Sequence, residues 1–401
     1  MAQHDYTISD ASGLAVLADL NNALAAIATG NSGNAAPSVT YPYMEWNDTL
    51  NGLRKIRDGA NTAWIIIGAL GAANLDLASL AGATFTGPVA VPSLNGGPLA
   101  GFRNRIINGN FDIWQNGTTF TGNEYGADQW LHARIGTTHT VTRQQFTLGQ
   151  TEVPGEPEYF CRTVVSSVGG AGNYSVLMQP LEDVRTFAGQ QVVVSFRAKA
   201  DNTRSIAIEL LQKFGSGGSP SADVTSIGVS KVSIGSSWQK VTAPITVPSI
   251  IGKTLGTDNN DSLYLFIWFD AGSNFNSRTG ILGHQSGTFD IAQVQMEPGP
   301  IATPFERRPI SVELALCQRY FEVGTSGSLG YGLSTVGAGA HVSYAVTKRV
   351  QPTLVLTPFD YTNASGALLA NNTIYGFTPY GSVNATGGFI IYINWTASAR
   401  L

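Results

Sequence analysis

Charge is what this sequence has least of. Asp, Glu, Lys and Arg make up 12% of the 401 residues, and 23 basic against 27 acidic side chains leave a formal charge of −4. A soluble globular chain carries about 25% charged residues, so part of the surface must be covered in some other way. The basic residues form no cluster, which excludes nucleic acid as an expected partner, because phosphate recognition needs a basic face. Cysteine is nearly absent: Cys161 and Cys317 stand far apart and fit neither a disulfide framework nor a zinc cluster, so both are expected as buried thiols. Five histidines, His4, His132, His139, His284 and His341, offer no His-Glu-x-x-His spacing, and no Gly-x-Ser-x-Gly elbow occurs. The uncharged stretches 20–44 and 77–102 are broken by Asn, Gly, Pro and Ser, so no membrane insertion is expected, and the opening MAQHDYTISD has acids where a secretory leader needs positive charge.

What is present excludes disorder: 43% hydrophobic and 10% aromatic residues are too apolar for an unfolded chain. Leu14, Leu17, Leu20, Leu24 and Ile27 recur at helical spacing, with Asp10 placed to cap the start and Gly30 to end it. Such a narrow stripe packs either inside one subunit or along a seam with other copies of the chain. β-like runs at 39–46, 53–57 and 62–67, separated by Asn, Asp and Gly, predict a small meander. Residues 68–101 hold one charge, Asp76, and no sustained period; they read as a linker or as a shaft in which several chains pack together.

From 102 to about 308 the pattern is all-β. Runs at 141–146, 159–165, 191–198, 205–213, 239–247, 263–269 and 288–295 predict a β-sandwich or jelly roll. A helical piece is expected at 311–321 with Leu314, Cys317 and Phe321 on one face. Strands at 341–347, 353–357, 373–378 and 388–395 predict a second, smaller β-domain, whose last 79 residues hold only Lys348, Arg349, Asp360 and Arg400 as charges.

Three sets of residues carry a resemblance. Residues 41–49 (YPYMEWNDT), with 53–57 (LRKIR) and 63–65 (AWI), resemble the hairpin repeat near the virion-attached end of bacteriophage tail fibres. Residues 104–115 (NRIINGNFDIWQ) and 127–130 (ADQW) resemble the opening of the carbohydrate-module-like jelly roll in such receptor-binding proteins. Residues 293–299 (QVQMEPG), 304–306 (PFE) and 316–321 (LCQRYF) resemble its close. The resemblance implies a mainly β, elongated homotrimer: an N-terminal virion-attachment domain (1–70) that docks on phage tail or baseplate proteins, a shaft (71–101), a jelly-roll sandwich (102–309) and a C-terminal β tip (310–401). It implies a virion location, assembly in the host cytoplasm, and host adsorption through a surface glycan or an outer-membrane protein.

Within that frame no catalytic residue is expected. A glycosidase needs paired carboxylates about 5–10 Å apart, and Glu124, Asp128, Asp270 and Asp290 are available, but their abundance makes this reading unspecific and solvated loop acids explain them better. A polysaccharide depolymerase fibre and a purely structural connector are the alternatives. Sugar binding is the sharper expectation, because pyranose rings present apolar faces to aromatic side chains. Trp130 and Trp268 are candidate platforms whose strand-like contexts favour core positions, and Tyr125 and Phe275 are the better candidates for exposure, in the loops 120–126 and 271–277. Asn363 and Tyr380 are candidate receptor contacts in the terminal domain. Asn110-Phe111-Asp112 resembles the opening of jelly rolls that hold a structural calcium ion, for which Asp112 and Asp290 are the candidate ligands, while Ala292-Gln293 depart from that pattern. The low charge is concentrated in 68–101 and 323–401, where burial between chains is therefore expected.

Overall fold

A computed structural model describes residues 3–71, 101–334 and 337–401. They divide into two compact units, Met1–Val89 and Ala90–Leu401. The shaft expected at 71–101 lies outside the described residues except at its ends.

In the first unit, α1 (Gly13–Ala28) begins after Ser12 rather than at Asp10, with no side-chain cap. It ends where Gly30 takes φ +56°, a conformation open to glycine. Ala23 and Ala26 are its buried residues, and the stripe points the other way: Leu14, Leu17, Leu20, Leu24 and Ile27 are 46–81% exposed. The predicted meander is present as β1 (Glu45–Asp48), β2 (Leu53–Arg57) and β3 (Trp64–Ala69), antiparallel in that order. Trp46 and Trp64 pack at 5.3 Å. Asp48, buried beside them, accepts a 2.8 Å bond from Lys55, and Lys55 with Asn51 holds its carboxyl down at about 2.

The second unit opens with the predicted sandwich. Its strands are β4 (Thr119–Phe120), β5 (Glu124–Tyr125), β6 (Leu131–Ile135), β7 (Thr138–Gln145), β8 (Tyr159–Ser166), β9 (Tyr174–Glu182), β10 (Gln191–Ala200), β11 (Arg204–Lys213), β12 (Val224–Ile234), β13 (Gln239–Thr246), β14 (Ser262–Ala271) and β15 (Gly287–Pro298). They form two antiparallel sheets, β13-β10-β15-β8-β7-β4 and β12-β11-β14-β9-β6-β5. Between them lies one core that includes Phe111, Trp130, Phe196, Ile267, Phe269 and Phe289. The alternation of β13 shows how sequence sets the face: Val241, Ala243 and Ile245 are buried while their neighbours are wet. Pro244 sits on this strand because β13 is an edge, where a missing donor is tolerated.

The opening and closing motifs clasp the two ends of the sandwich. Asn104 Oδ1 accepts from the amides of Ile106 and Met296, each at 3.0 Å, and Glu306 accepts from the amides of Phe102 and Asn104. Asn108 Nδ2 donates to the carbonyls of Ile113 and Asp128, and its own carbonyl accepts from Trp130 Nε1 at 3.0 Å. A Cβ at Gly109 would meet the Val294 carbonyl oxygen at 2.1 Å, so that crossing requires glycine.

α3 (Ile310–Gln318) follows, with Cys317 buried against the unit; Phe321 belongs to the next strand rather than to the helix. The terminal strands are β16 (Phe321–Gly332), β17 (Gly337–Gly339), β18 (Val342–Ser343), β19 (Thr353–Thr362), β20 (Ala364–Ala370), β21 (Gly376–Val383) and β22 (Gly387–Ser398). β22 runs between β16 and β19, and β21 pairs with β17, β18 and β20. Their core is Tyr344, Phe377 and Trp395, with a smaller cluster at Ile391 and Ile393. Polar contacts fix this module to the sandwich: Arg319 pairs with Glu182 at 2.7 Å, and Arg349 Nη1 donates to the Asn259 carbonyl at 2.7 Å. Cys161 and Cys317 are both buried free thiols, as expected, and burial pushes both thiols up.

Candidate functional site

Each sheet of a sandwich has one face in the core and one turned outward. On the second sheet the outward face is aromatic. β14 alternates Leu265, Ile267 and Phe269 into the core with Tyr264, Phe266 and Trp268 away from it, so three rings stand in a row along one strand. Phe266 and Trp268 stack at 5.6 Å. Neighbouring strands add Tyr174 and Met178 from β9 and Leu211 from β11.

The segment after β14 folds over one end of this face. A 3-10 turn (Ser273–Phe275) and α2 (Asn276–Thr279) place Phe275 5.3 Å from Trp268 and 5.1 Å from Tyr174. Gly280 ends α2 with φ +58°. Arg278 lies 5.0 Å from the ring centres of both Phe266 and Trp268. Its guanidinium donates through Nε and Nη2 to Glu209, a fully buried carboxylate of β11 that also accepts from Trp268 Nε1 at 3.1 Å and from the Ser226 amide at 2.8 Å. Every strong acceptor position of this carboxylate is therefore used, as a buried charge requires. Tyr174, Tyr264 and Phe275 remain half-buried, which leaves ring surface facing solvent, with Asn274 and Asn276 exposed beside them.

The structure thus brings Trp268 and Phe275 together and gives them different roles. Trp268 is only 1% exposed and serves as the base on which Phe275 and Tyr174 rest, so it is not itself a platform. Trp130 is fully buried against Phe111 at 5.1 Å, which corrects its reading as a platform: its indole fills the core. Tyr125 is corrected as well. Its hydroxyl donates to the Leu401 carbonyl at 2.9 Å and Arg400 covers its ring at 4.5 Å, so the chain end occupies the surface expected for a sugar. Asn363 spends its side chain on a turn, donating to the carbonyls of Ala385 and Gly388 and accepting from the Ala385 amide at 2.9 Å. Tyr380 is half-buried within β21, opposite Gly339 and Leu368, rather than in a loop.

The two candidate calcium ligands have separate partners. Asp112 accepts from Asn110 Nδ2 at 3.0 and 3.1 Å, and burial raises its pKa. Asp290 is gripped by Arg162 through bonds of 2.7 and 2.8 Å, with Lys199 at 3.9 Å. A carboxylate already neutralised by two cations is poor chemistry for a third, and no group of three or more metal-ligating side chains occurs among the described residues.

Asp270, Ser167 and His284 do meet. However, Nδ1 of His284 faces both Asp270 at 3.1 Å and Ser167 at 3.3 Å, while Nε2 is taken up by Gly170. A relay needs the two ring nitrogens to face different partners, so these three are a loop-fixing cluster. Asp128 is fully buried and bound by the amide and side chain of Gln115, and burial raises its pKa.

What sequence reading missed was Tyr174, Glu209 and Arg278. Phe275 next to Asn and Gly signalled the loop, but only the pairing of β14 with β9 and β11 brings Tyr174 and Glu209 to it, while Arg278 follows on α2.

The larger part of the second unit is a two-sheet β-sandwich. Similar solved structures include the family 11 carbohydrate-binding module from Clostridium thermocellum in complex with a β-1,3-1,4-mixed-linked tetrasaccharide, at 11% identity and TM-score 0.27 over 47% of this chain and 98% of that one. A putative sugar-binding protein from Bacteroides thetaiotaomicron is similar at 13% identity and TM-score 0.29, over 49% of this chain and all of that one. The enzymatically active domain of tailspike protein 4 from bacteriophage CBA120 is similar at 14% identity and TM-score 0.30, over 51% of this chain and 22% of that one. No protein-family profile and no curated protein sequence matches the chain.

Proposed function

We propose that the chain is a non-enzymatic bacteriophage tail-fibre protein that binds a glycan on the host surface through the outer face of the second sheet. The observation that carries this reading is the aromatic face itself: Tyr174, Tyr264 and Phe275 expose ring surface on the side of the sheet away from the core, on a base of Phe266 and Trp268. These rings bury part of their surface against that base and leave the rest exposed, where a pyranose gains an apolar platform. Asn274 and Asn276 supply donors and acceptors for hydroxyls at its margin. Attachment to the tail is assigned to the first unit, through the residues that resemble the fibre hairpin.

Assembly as a homotrimer is part of the same proposal. Five exposed Leu and Ile side chains on one stripe of α1 are an unusual cost for a sixteen-residue helix in water, and further copies of the same stripe are the partner that matches its spacing. A glycan array probed with the full chain, followed by titration of the hits, tests the binding. Tyr174→Ala and Phe275→Ala together are expected to weaken a neutral glycan at least about tenfold, the size of a lost stacking contact or two. Labelling of phage tails by an antibody to the chain tests the location.

A further inference from the structure

The outward face of the first sheet carries a different kind of site. A cavity of about 580 Å³ opens there, within the roughly 300–1,000 Å³ usual for small-molecule sites. Its lining includes Arg197, Lys240 and Arg307, the amide side chain of Gln293, and the half-buried ring of Phe305, and it includes no carboxylate. In a chain of net charge −4, three cations around one hollow with no anion is a local excess that the fold does not neutralise.

Two of these cations are placed against each other by the sheet. Arg197 on β10 and Lys240 on β13 are direct cross-strand partners, an arrangement that is unfavourable for like charges. The side chain of Arg197 makes no hydrogen bond or ion pair with any described residue. Lys240 has only the Ala302 carbonyl at 3.3 Å, and Arg307 only the Gly155 carbonyl at 3.3 Å. Burial, and then the nearness of Arg197, push the Lys240 ammonium below its usual range. Glu297, the carboxylate that acts on Lys240 from behind, is already bound by Arg103, Thr303 and Gln295.

The backbone at this place is shaped as well. β10 and β15 lose register between Ser195 and Arg197, and Gln293 takes φ +52° there, its Nε2 donating to the Pro154 carbonyl at 2.6 Å. The resulting bulge sets back the floor of the hollow and fixes the loop that forms its rim.

We propose that this cavity is a second binding site, for an anionic saccharide unit whose acid group sits between Arg197, Lys240 and Arg307 and whose ring lies against Phe305. The saccharide part of this assignment rests on the glycan reading above; the anionic part rests on the charge of the cavity alone. Carboxylate and phosphate both meet that charge, since a guanidinium fork binds either one.

Calorimetric titration of the full chain with tetragalacturonate, with glucose 6-phosphate and with neutral galactotetraose tests it. Binding of either acid, absence of binding by the neutral sugar, and marked weakening from about 50 to about 500 mM salt are expected; which acid binds identifies the source. Arg197→Gln is expected to weaken the acid about tenfold, as loss of a charged hydrogen bond does, and Arg197→Gln with Lys240→Gln to abolish it. Lys240 is exposed and Arg197 half-buried, and unchanged thermal unfolding confirms the folded state of each variant. Binding of neither acid, equal binding of the neutral sugar, or full affinity in the double variant overturns the proposal. Acid binding lost instead in Tyr174→Ala with Phe275→Ala assigns the ligand to the aromatic face, and also overturns it.

Discussion

Arg278 and Glu209 form a forked ion pair beneath the aromatic face, with Nε donating to Oε1 at 2.8 Å and an Nη to Oε2 at 3.0 Å. The pair ties α2, and with it Phe275, to the middle of β11. Glu209 has no exposed surface, so removal of its partner strands a charge in the protein interior. Arg278→Ala is therefore expected to lower stability by about 3–5 kcal/mol, measured as a fall in the urea midpoint of the second unit. Arg278→Lys keeps the charge but loses the fork, and is expected to fall between the two.

A second consequence concerns pH. His132 is wholly buried between the sheets with neither ring nitrogen bonded, and burial pushes its pKa down to about 3. It stays neutral in the folded state, while the unfolded chain takes up a proton below about pH 6.5. Its contribution is thus favourable above about pH 6.5 and is lost, by up to about 1.4 kcal/mol per pH unit, as pH falls from there toward about 3. Other groups titrate in the same window, so the measurement is a difference: thermal unfolding of the wild type should lose ground to His132→Leu steadily as the medium is acidified.

The exposed stripe of α1 makes a prediction about mass. Light scattering of the full chain is expected to give a trimer, and Leu17→Lys with Leu24→Lys is expected to weaken or abolish it while the second unit keeps its unfolding temperature. A monomeric wild type removes the trimer from the account.

Much of this architecture is legible in residue patterns. The meander, the helix and the strands near 141–146, 191–198 and 263–269 follow from periodicity, because apolar alternation is the same signal that builds the core. The strands that escape include β9, interrupted by Gln179 and Pro180, and β16 and β12, whose glycines and serines lower their local propensity; these three are set by cross-strand partners rather than by their own residues. The candidate site divides in the same way. Phe275 is visible because Gly and Asn mark its loop. Tyr125 misleads, because Arg400 covers its ring and Leu401, which accepts from its hydroxyl, is 276 positions away. The face of Trp268 depends on the parity of β14, which sequence alone leaves open.

The low charge also looks different in the fold. About half of the described cations and acids are spent in pairs such as Arg162 with Asp290 and Arg319 with Glu182. The group at Arg197 and Lys240 differs from these pairs in having no acid in its hollow, whereas on the opposite sheet the cation against the rings, Arg278, is paired with Glu209.

The central claim is that this face binds glycan, and the direct measurement is the affinity of one neutral array hit for the wild type and for Tyr174→Ala with Phe275→Ala, both verified as folded. The account predicts measurable binding by the wild type and a loss of at least about tenfold in the variant. An array left blank by the folded wild type, or equal affinity in the two proteins, contradicts it.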